Sequence, residues 1–270
     1  MKNRFSTLAL VGGLAAAGFA QADTIELTGT LRDFTIEHPD MQNPDKSFGV
    51  KTELVMPQLG EDGKPVLNTA SDPTRGMITG PDSFAQWYRD VPGVNISMPL
   101  TITLDNGSDE PGGVYSFAKE GSGNYFFPAD GLGFNDMQQE STGNHNFYFT
   151  YEIHTEFTYL DPADRDLDGD GVSSAEDEND GAMVFTFTGD DDVWVFINGK
   201  LAVDIGGVHA QESRSVNLDE KAQELGLEPG GVYKLDFFFA ERHTTQSNFR
   251  IDTTLQLKAI PPTTVSPLYD

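Results

Sequence analysis

The chain contains no cysteine, and its 17 lysines and arginines stand against 43 aspartates and glutamates, a formal net charge of −26 over 270 residues. Without cysteine, no disulfide can brace the fold in an oxidising compartment, and thiol nucleophiles and thiolate zinc sites are excluded. The shortage of cations argues against binding nucleic acid or anionic lipid by electrostatics; a field of this sign attracts positive ions. No later segment approaches the ~20 consecutive apolar residues of a transmembrane helix, so no membrane span is expected.

What is present begins with a leader. Lys2 and Arg4 form a basic start, Leu8 to Phe19 is short and apolar, and Ala20-Gln21-Ala22 suits cleavage before Asp23. Residues 1–22 therefore read as a signal peptide. The expected destination is secreted or extracellular, with the periplasm or cell surface also open. Residues 23–258 read as a single domain and 259–270, containing "IPPTTVSPLYD", as an extended tail.

Strand signals dominate that domain. In "HNFYFTYEIHTEFTY", Phe147, Phe149, Tyr151, Ile153, Phe157 and Tyr159 fall on one face and Glu152, His154 and Glu156 on the other. A period of two in aromatic and β-branched residues predicts a strand with one wet face. "NFRIDTTLQL" alternates likewise, and "TIELTGTLRDFTI", "AMVFTFTG", "VWVFING" and "GVYKLDFFFAER" add further strands. Asn198-Gly199 between two apolar runs predicts a hairpin with a type I′ turn. One short helix is expected, with Asp219 as N-cap and Gly226 as C-cap. Residues 37–47 and 58–82 read as long surface loops. Many short strands and little helix predict a mainly β fold, an antiparallel β-sandwich or barrel with long loops and one short helix.

Two acidic clusters carry the chemistry. Asp166, Asp168, Asp170 and Gly171 follow D-x-D-x-D-G, and Asp177 falls at the twelfth position of a loop counted from Asp166. Calcium takes six to eight oxygens, and alternate residues of a tight loop can aim them at one point. The last position is Asp where an EF-hand has Glu, and long flanking helices are missing, so the 164–180 segment reads as a helix-poor calcium loop. A solvated acidic loop is the alternative. The second cluster, Asp190 to Asp192, abuts the apolar run Val193 to Ile197. Either the aspartates cap backbone N–H groups in a turn, or a cation sits on them.

"FAQWYRDVPGVN", "FFPADGLGF", "HNFYFTYEIHTEFTY", "FTGDDDVWVFINGKLAVDIGGVH" and "LGLEPGGVYKLDFFFAERHTTQSNFRIDTTLQL" together resemble the fibro-slime domain, within the PA14-like group. The resemblance runs from about residue 25 to 258. It implies a β-barrel or sandwich module of the kind appended to adhesins, glycosidases and toxins, many of which bind glycans. In PA14-like adhesins that bind sugars through calcium, two aspartates joined by a cis peptide precede a strand; the matching pair is Asp190-Asp191. A later loop supplies a further oxygen, which points to Asn248, with Gln246 and Ser247 behind it, and sugar hydroxyls complete the shell. Asp192, His209, Arg242 and Gln246 are candidate ligand contacts. Asp204 and His209 are candidates to extend the site. For His209 a hydrogen-bonded turn histidine is the alternative, for Arg242 an internal ion pair, and for Trp87 and Tyr88 core anchors instead of a sugar-stacking platform.

No nucleophile elbow, zinc His-Glu signature or cysteine nucleophile is present, and adjacent acids suit a hard cation better than acid–base catalysis. The expected function is non-enzymatic: a secreted, calcium-binding adhesion or carbohydrate-recognition module whose partner is a glycan or extracellular surface component. The alternative is a structural extracellular-matrix or surface protein using calcium only for stability.

Overall fold

The computed structural model describes residues 24–42, 48–72, 75–108, 112–167, 170–176 and 181–260. The leader, Asp168, Asp177 and residues 261–270 lie outside the described residues. Among those described, no helix is long and apolar enough to cross a membrane.

Thirteen strands run in chain order: β1 (Thr24–Asp33), β2 (Ile96–Asp105), β3 (Tyr115–Lys119), β4 (Gln138–Glu140), β5 (Gly143–His145), β6 (Phe149–Thr158), β7 (Val184–Gly189), β8 (Asp192–Ile197), β9 (Lys200–Ile205), β10 (Glu212–Asn217), β11 (Val232–Glu241), β12 (Phe249–Thr253) and β13 (Lys258–Ala259). Ten of them form one antiparallel sheet ordered β10-β7-β12-β3-β2-β1-β6-β11-β8-β9, with β13 added to β6 and β4-β5 standing apart. The two edges, β9 and β10, come back beside each other, so the sheet nearly closes on itself.

Alternation explains the closure. Phe149, Tyr151, Ile153 and Phe157 of β6, Val193, Val195 and Ile197 of β8, and Phe237 and Phe239 of β11 share one buried cluster inside the barrel. At ~25 cal/mol per Å² of apolar surface buried, aromatic residues of this size dominate the driving force. Asn198 (φ 53°) and Gly199 (φ 72°) make the left-handed turn of the β8–β9 hairpin.

Four expectations need correction. The wet face of β6 is largely covered: Glu152 is 3% exposed and Thr150 fully buried. The cover is the long connection after β1, whose Leu54, Val55, Leu67, Ile78, Phe84, Trp87 and Tyr88 pack on Trp194, Phe196, Phe238 and Ala240 from outside the barrel. That connection therefore builds a second core instead of only looping over the surface, and Trp87 and Tyr88 are core anchors. Among the described residues there are two short α-helices where one was expected, α1 (Pro81–Phe84) and α2 (Leu218–Leu225). The N-cap of α2 is Asn217, whose side chain accepts from the Asp219 and Glu220 N–H groups, while Asp219 lies inside the first turn; Gly226 is the left-handed C-cap.

Candidate cation and ligand site

The site grows from a two-residue step between strands. β7 stops at Gly189 and β8 starts at Asp192, so Asp190 and Asp191 form the link. Gly189 sits where any Cβ would collide with the Asn248 backbone carbonyl. That close approach lets Asn248 lace the link down. The Asp190 N–H donates to the Asn248 carbonyl at 3.3 Å, and the Asn248 N–H and Nδ2 donate to Asp190 Oδ1 and Oδ2 at 2.5 and 2.8 Å. Asn248 Oδ1 in turn accepts from the Gly121 N–H at 3.0 Å. Asp191 is gripped by main chain: the His209 N–H donates to Oδ1 and the Arg242 N–H to Oδ2, both at 3.2 Å. The Asp190–Asp191 peptide is cis.

Both carboxylates line a cavity of about 520 Å³ together with His209, His243, Gln246 and Phe48. Each aspartate is 4% exposed, His209 is 9% exposed and Phe48 is 55% exposed. Phe48 meets His243 edge-on at 5.1 Å between ring centroids.

Strand alternation separates the third aspartate from the first two. Asp191 shares parity with Val193, Val195 and Ile197 and so belongs to the barrel side, whereas Asp192 shares parity with Trp194 and Phe196 under the outer cover. There Asp192 Oδ2 accepts from Arg242 Nε at 2.6 Å, both side chains fully buried. Arg242 also donates to the carbonyls of Asp40, Met77 and Gly76 and lies 4.7 Å from the Trp87 ring centroid. The expectation that Asp192 and Arg242 touch a ligand is therefore corrected: they are bonded to each other beneath the cover. Asp204 is likewise engaged elsewhere, accepting from the Glu53 N–H and from Trp194 Nε1 at 2.6 and 3.1 Å.

The same parity brings in a residue that the sequence reading did not place at the site. Glu241 follows Phe237 and Phe239 by twos, so the last residue of β11 is directed to the barrel side, where it is fully buried. Its Oε1 accepts from the His243 N–H at 3.4 Å, and the Ser247 hydroxyl beside it favours the charged form. Burial pushes the Glu241 carboxyl well above its ordinary range, and the negative charges of Asp191 and Asp190 push it further. Burial does the same to Asp191, where Arg242 opposes and Asp190 and Asp192 add to the rise. Asp190 is raised by burial against the pull of its Asn248 bonds. Alternation in "LDFFFAER" was the available signal for Glu241.

These groups fit a hard cation by donor chemistry. Each oxygen of the aspartate pair is held by one N–H and keeps a second lone pair. Among the described residues, no three acidic or histidine side chains form a ready-made metal cage. An ion at the pair would need further oxygens from the Asn248 carboxamide, the main chain or a ligand. At the other acidic cluster, Asp166 Oδ2 accepts from the Gly171 N–H at 2.9 Å and Asp170 Oδ1 from the Val172 N–H at 2.7 Å. Arg165 anchors that loop by a two-pronged pair with Asp219 of α2 at 2.9 and 2.8 Å.

Residues 177–267 match the PA14 domain model. This stretch holds Asp190, Asp191, His209, Glu241 and Asn248. The chain is 38% identical over 244 residues to protein psiR of Dictyostelium discoideum, covering 86% of this chain and 22% of that one. To psiD of the same organism it is 36% identical over 256 residues, covering 91% and 45%. The chain thus spans less than half the length of these curated relatives. Among solved structures, the epithelial adhesin 9 A domain of Candida glabrata, in complex with Galβ1-4GlcNAc, is similar at 11% identity and a TM-score of 0.29, covering 87% of this chain and 88% of that one.

Proposed function

We propose that this chain is an exported, calcium-binding module of the fibro-slime and PA14 kind that recognises a carbohydrate or another extracellular surface component and performs no catalysis. The observation that carries the reading is the delivery of Asp190 and Asp191 by rigid strand ends, side by side, to the wall of an open cavity. Adjacent buried carboxylates repel one another, and a divalent ion of matching hardness relieves that repulsion while offering open positions to ligand hydroxyls. Asn248 is the third oxygen donor in this reading, its carboxamide turning so that Oδ1 leaves the Gly121 N–H and replaces the Nδ2 that now faces Asp190; the PA14 match over the same residues supports it. The loop containing Asp166, Asp168, Asp170 and Asp177 takes a second calcium, which ties the loop down.

A structural role with calcium used only for stability is the second reading. It is favoured by the main-chain bonds that already hold both oxygens of Asp191. A glycan array in calcium and in chelator separates the two. Calcium-dependent retention that disappears in Asp190→Ala/Asp191→Ala supports recognition. Retention of a glycan by that double variant at wild-type affinity would remove the site from consideration.

A further inference from the structure

The outer side of the barrel carries a second cavity, of about 620 Å³, lined by Glu152 and His154 of β6, Asp236 of β11 and Lys64 of the cover. Asp236 stands on the opposite face of β11 from Glu241 and five residues before it, about 16 Å at the usual strand rise. This cavity is therefore separate from the one beside Asp190 and Asp191.

The acids of this cavity are already engaged. Glu152 Oε1 accepts from Arg32 Nη1 at 2.8 Å and Oε2 from Lys64 Nζ at 2.6 Å. Asp236 Oδ1 lies 2.7 Å from His154 Nδ1, and Asp62 Oδ2 accepts from Arg89 Nε at 2.8 Å. A divalent ion would have to displace these bases to reach the oxygens it needs. The bases keep more capacity. An ammonium has three hydrogens, so Lys64 retains two beyond its bond to Glu152. Lys234, exposed and opposite Glu156 in the ladder, brings a further ammonium to the lining. The His154 side chain is 36% exposed, and with Nδ1 committed to Asp236 the donor it offers the cavity is the Nε2–H of the protonated ring. Burial disfavours that form and Lys64 opposes it, but Asp236 and Glu152 outweigh both and raise the ring above its ordinary 6.5.

The hydrogen-bonding capacity left over is thus cationic and donating, in a chain whose net charge is −26. Beside it lie the Thr28 hydroxyl, the Tyr233 ring and Val232, which is 58% exposed. Hydroxyl, aromatic and aliphatic surface together match a sugar ring, with its polar edge and apolar face.

The geometry points to this outer cavity as a second binding site that takes a carboxylate-bearing sugar, a hexuronate, its carboxylate received among Lys64, Lys234 and His154. Bonds between an ionised donor and a carboxylate are the strong ones, so the charged group anchors the ligand and the apolar wall orients it. The sugar half of the assignment rests on the carbohydrate-recognition reading above; the charge half rests on this cavity alone.

Methyl β-glucuronoside, methyl β-glucoside and sodium acetate are titrated into the full chain in chelator, so that no calcium-dependent event contributes. The uronoside should bind, with the glucoside and acetate each at least about tenfold weaker. Lys234→Gln, at an exposed position, should weaken the uronoside about tenfold. Asp190→Ala/Asp191→Ala should leave it within about twofold, since the two cavities are far enough apart to act independently. Uronoside affinity should fall as pH rises through the folded-state value of His154, and His154→Gln should abolish that pH dependence. Glucoside or acetate binding as tightly as the uronoside, an unchanged Lys234→Gln, or no uronoside binding by the wild type overturns the assignment. None of these results bears on calcium-dependent glycan retention, which tests the aspartate site separately. Loss of the uronoside in the double aspartate variant would move the binding event to the other cavity and overturn the assignment as well.

Discussion

At the residue scale, three consecutive acids meet three different situations. Asp192 is neutralised by a fully buried arginine, Asp190 is clamped by Asn248, and Asp191 faces the barrel end beside Glu241. Removing one member of a buried ion pair leaves the other uncompensated, at about 3–5 kcal/mol. Asp192→Ala and Arg242→Ala should therefore each lower unfolding free energy by about that amount, as read by urea denaturation, while the double substitution to apolar residues of matched volume should recover much of it. Glu241→Gln acts differently. Burial already biases this carboxyl toward its neutral form, so stability should hold or rise, but calcium affinity measured calorimetrically should weaken by about tenfold because an amide, unlike the carboxyl, cannot give up a proton to an arriving ion. A calcium affinity unchanged in Glu241→Gln would detach that carboxylate from the site.

At the element scale, β6 and β11 carry a polar network on the side away from the barrel core. Glu152 bonds Arg32 at 2.8 Å and Lys64 at 2.6 Å, and His154 Nδ1 lies 2.7 Å from Asp236. Burial alone would raise the Glu152 carboxyl, but His154, Arg32 and Lys64 outweigh it and hold it at about 2. Its ordinary value is 4.5, so its contribution, about 3 kcal/mol, is present above pH 4.5 and is lost as pH falls toward 2. For His154 burial works downward, yet Asp236 and Glu152 raise it above 6.5; its contribution is complete below pH 6.5 and fades as pH rises through the folded value. Stability against pH should thus be highest between these limits, and Glu152→Gln should flatten the acid limb in thermal melts across the acid range. This network was only half legible. Period-two alternation marked β6 and β12, and apolar runs marked β8 and β11, because their inner faces bury apolar side chains. The cover over Glu152 left no such mark, since the segment supplying Leu54, Val55 and Ile78 has no sustained period and reads as loop. Parity was available for Glu241 but was not used, because a terminal charge after "FFFA" reads as the start of a turn until β8 is known to pair beside it, with Ala240 opposite Asp192. Close approach of Gly189 to Asn248 was invisible for the same reason: it joins residues far apart in sequence. Gly189→Ala should disturb this junction, costing about 1–3 kcal/mol and weakening calcium binding together.

At the scale of the whole molecule, a net charge of −26 repels itself, and no disulfide is available to resist the strain. The barrel instead relies on a buried aromatic interior and an outer cover. On the proposed reading, calcium should raise the melting temperature more than sodium chloride of equal ionic strength, because specific binding to the folded state stabilises it and screening alone does not. The PA14 match spans the half of the barrel that holds the cavity, where β7, β8, β11 and β12 end together. The most direct measurement is calorimetric titration of calcium into the wild type and into Asp190→Asn/Asp191→Asn. A calcium-binding event present in the first and missing from the second, with the melting temperature of the ion-free proteins little changed, is the predicted result. Identical calcium isotherms for the two proteins would contradict it.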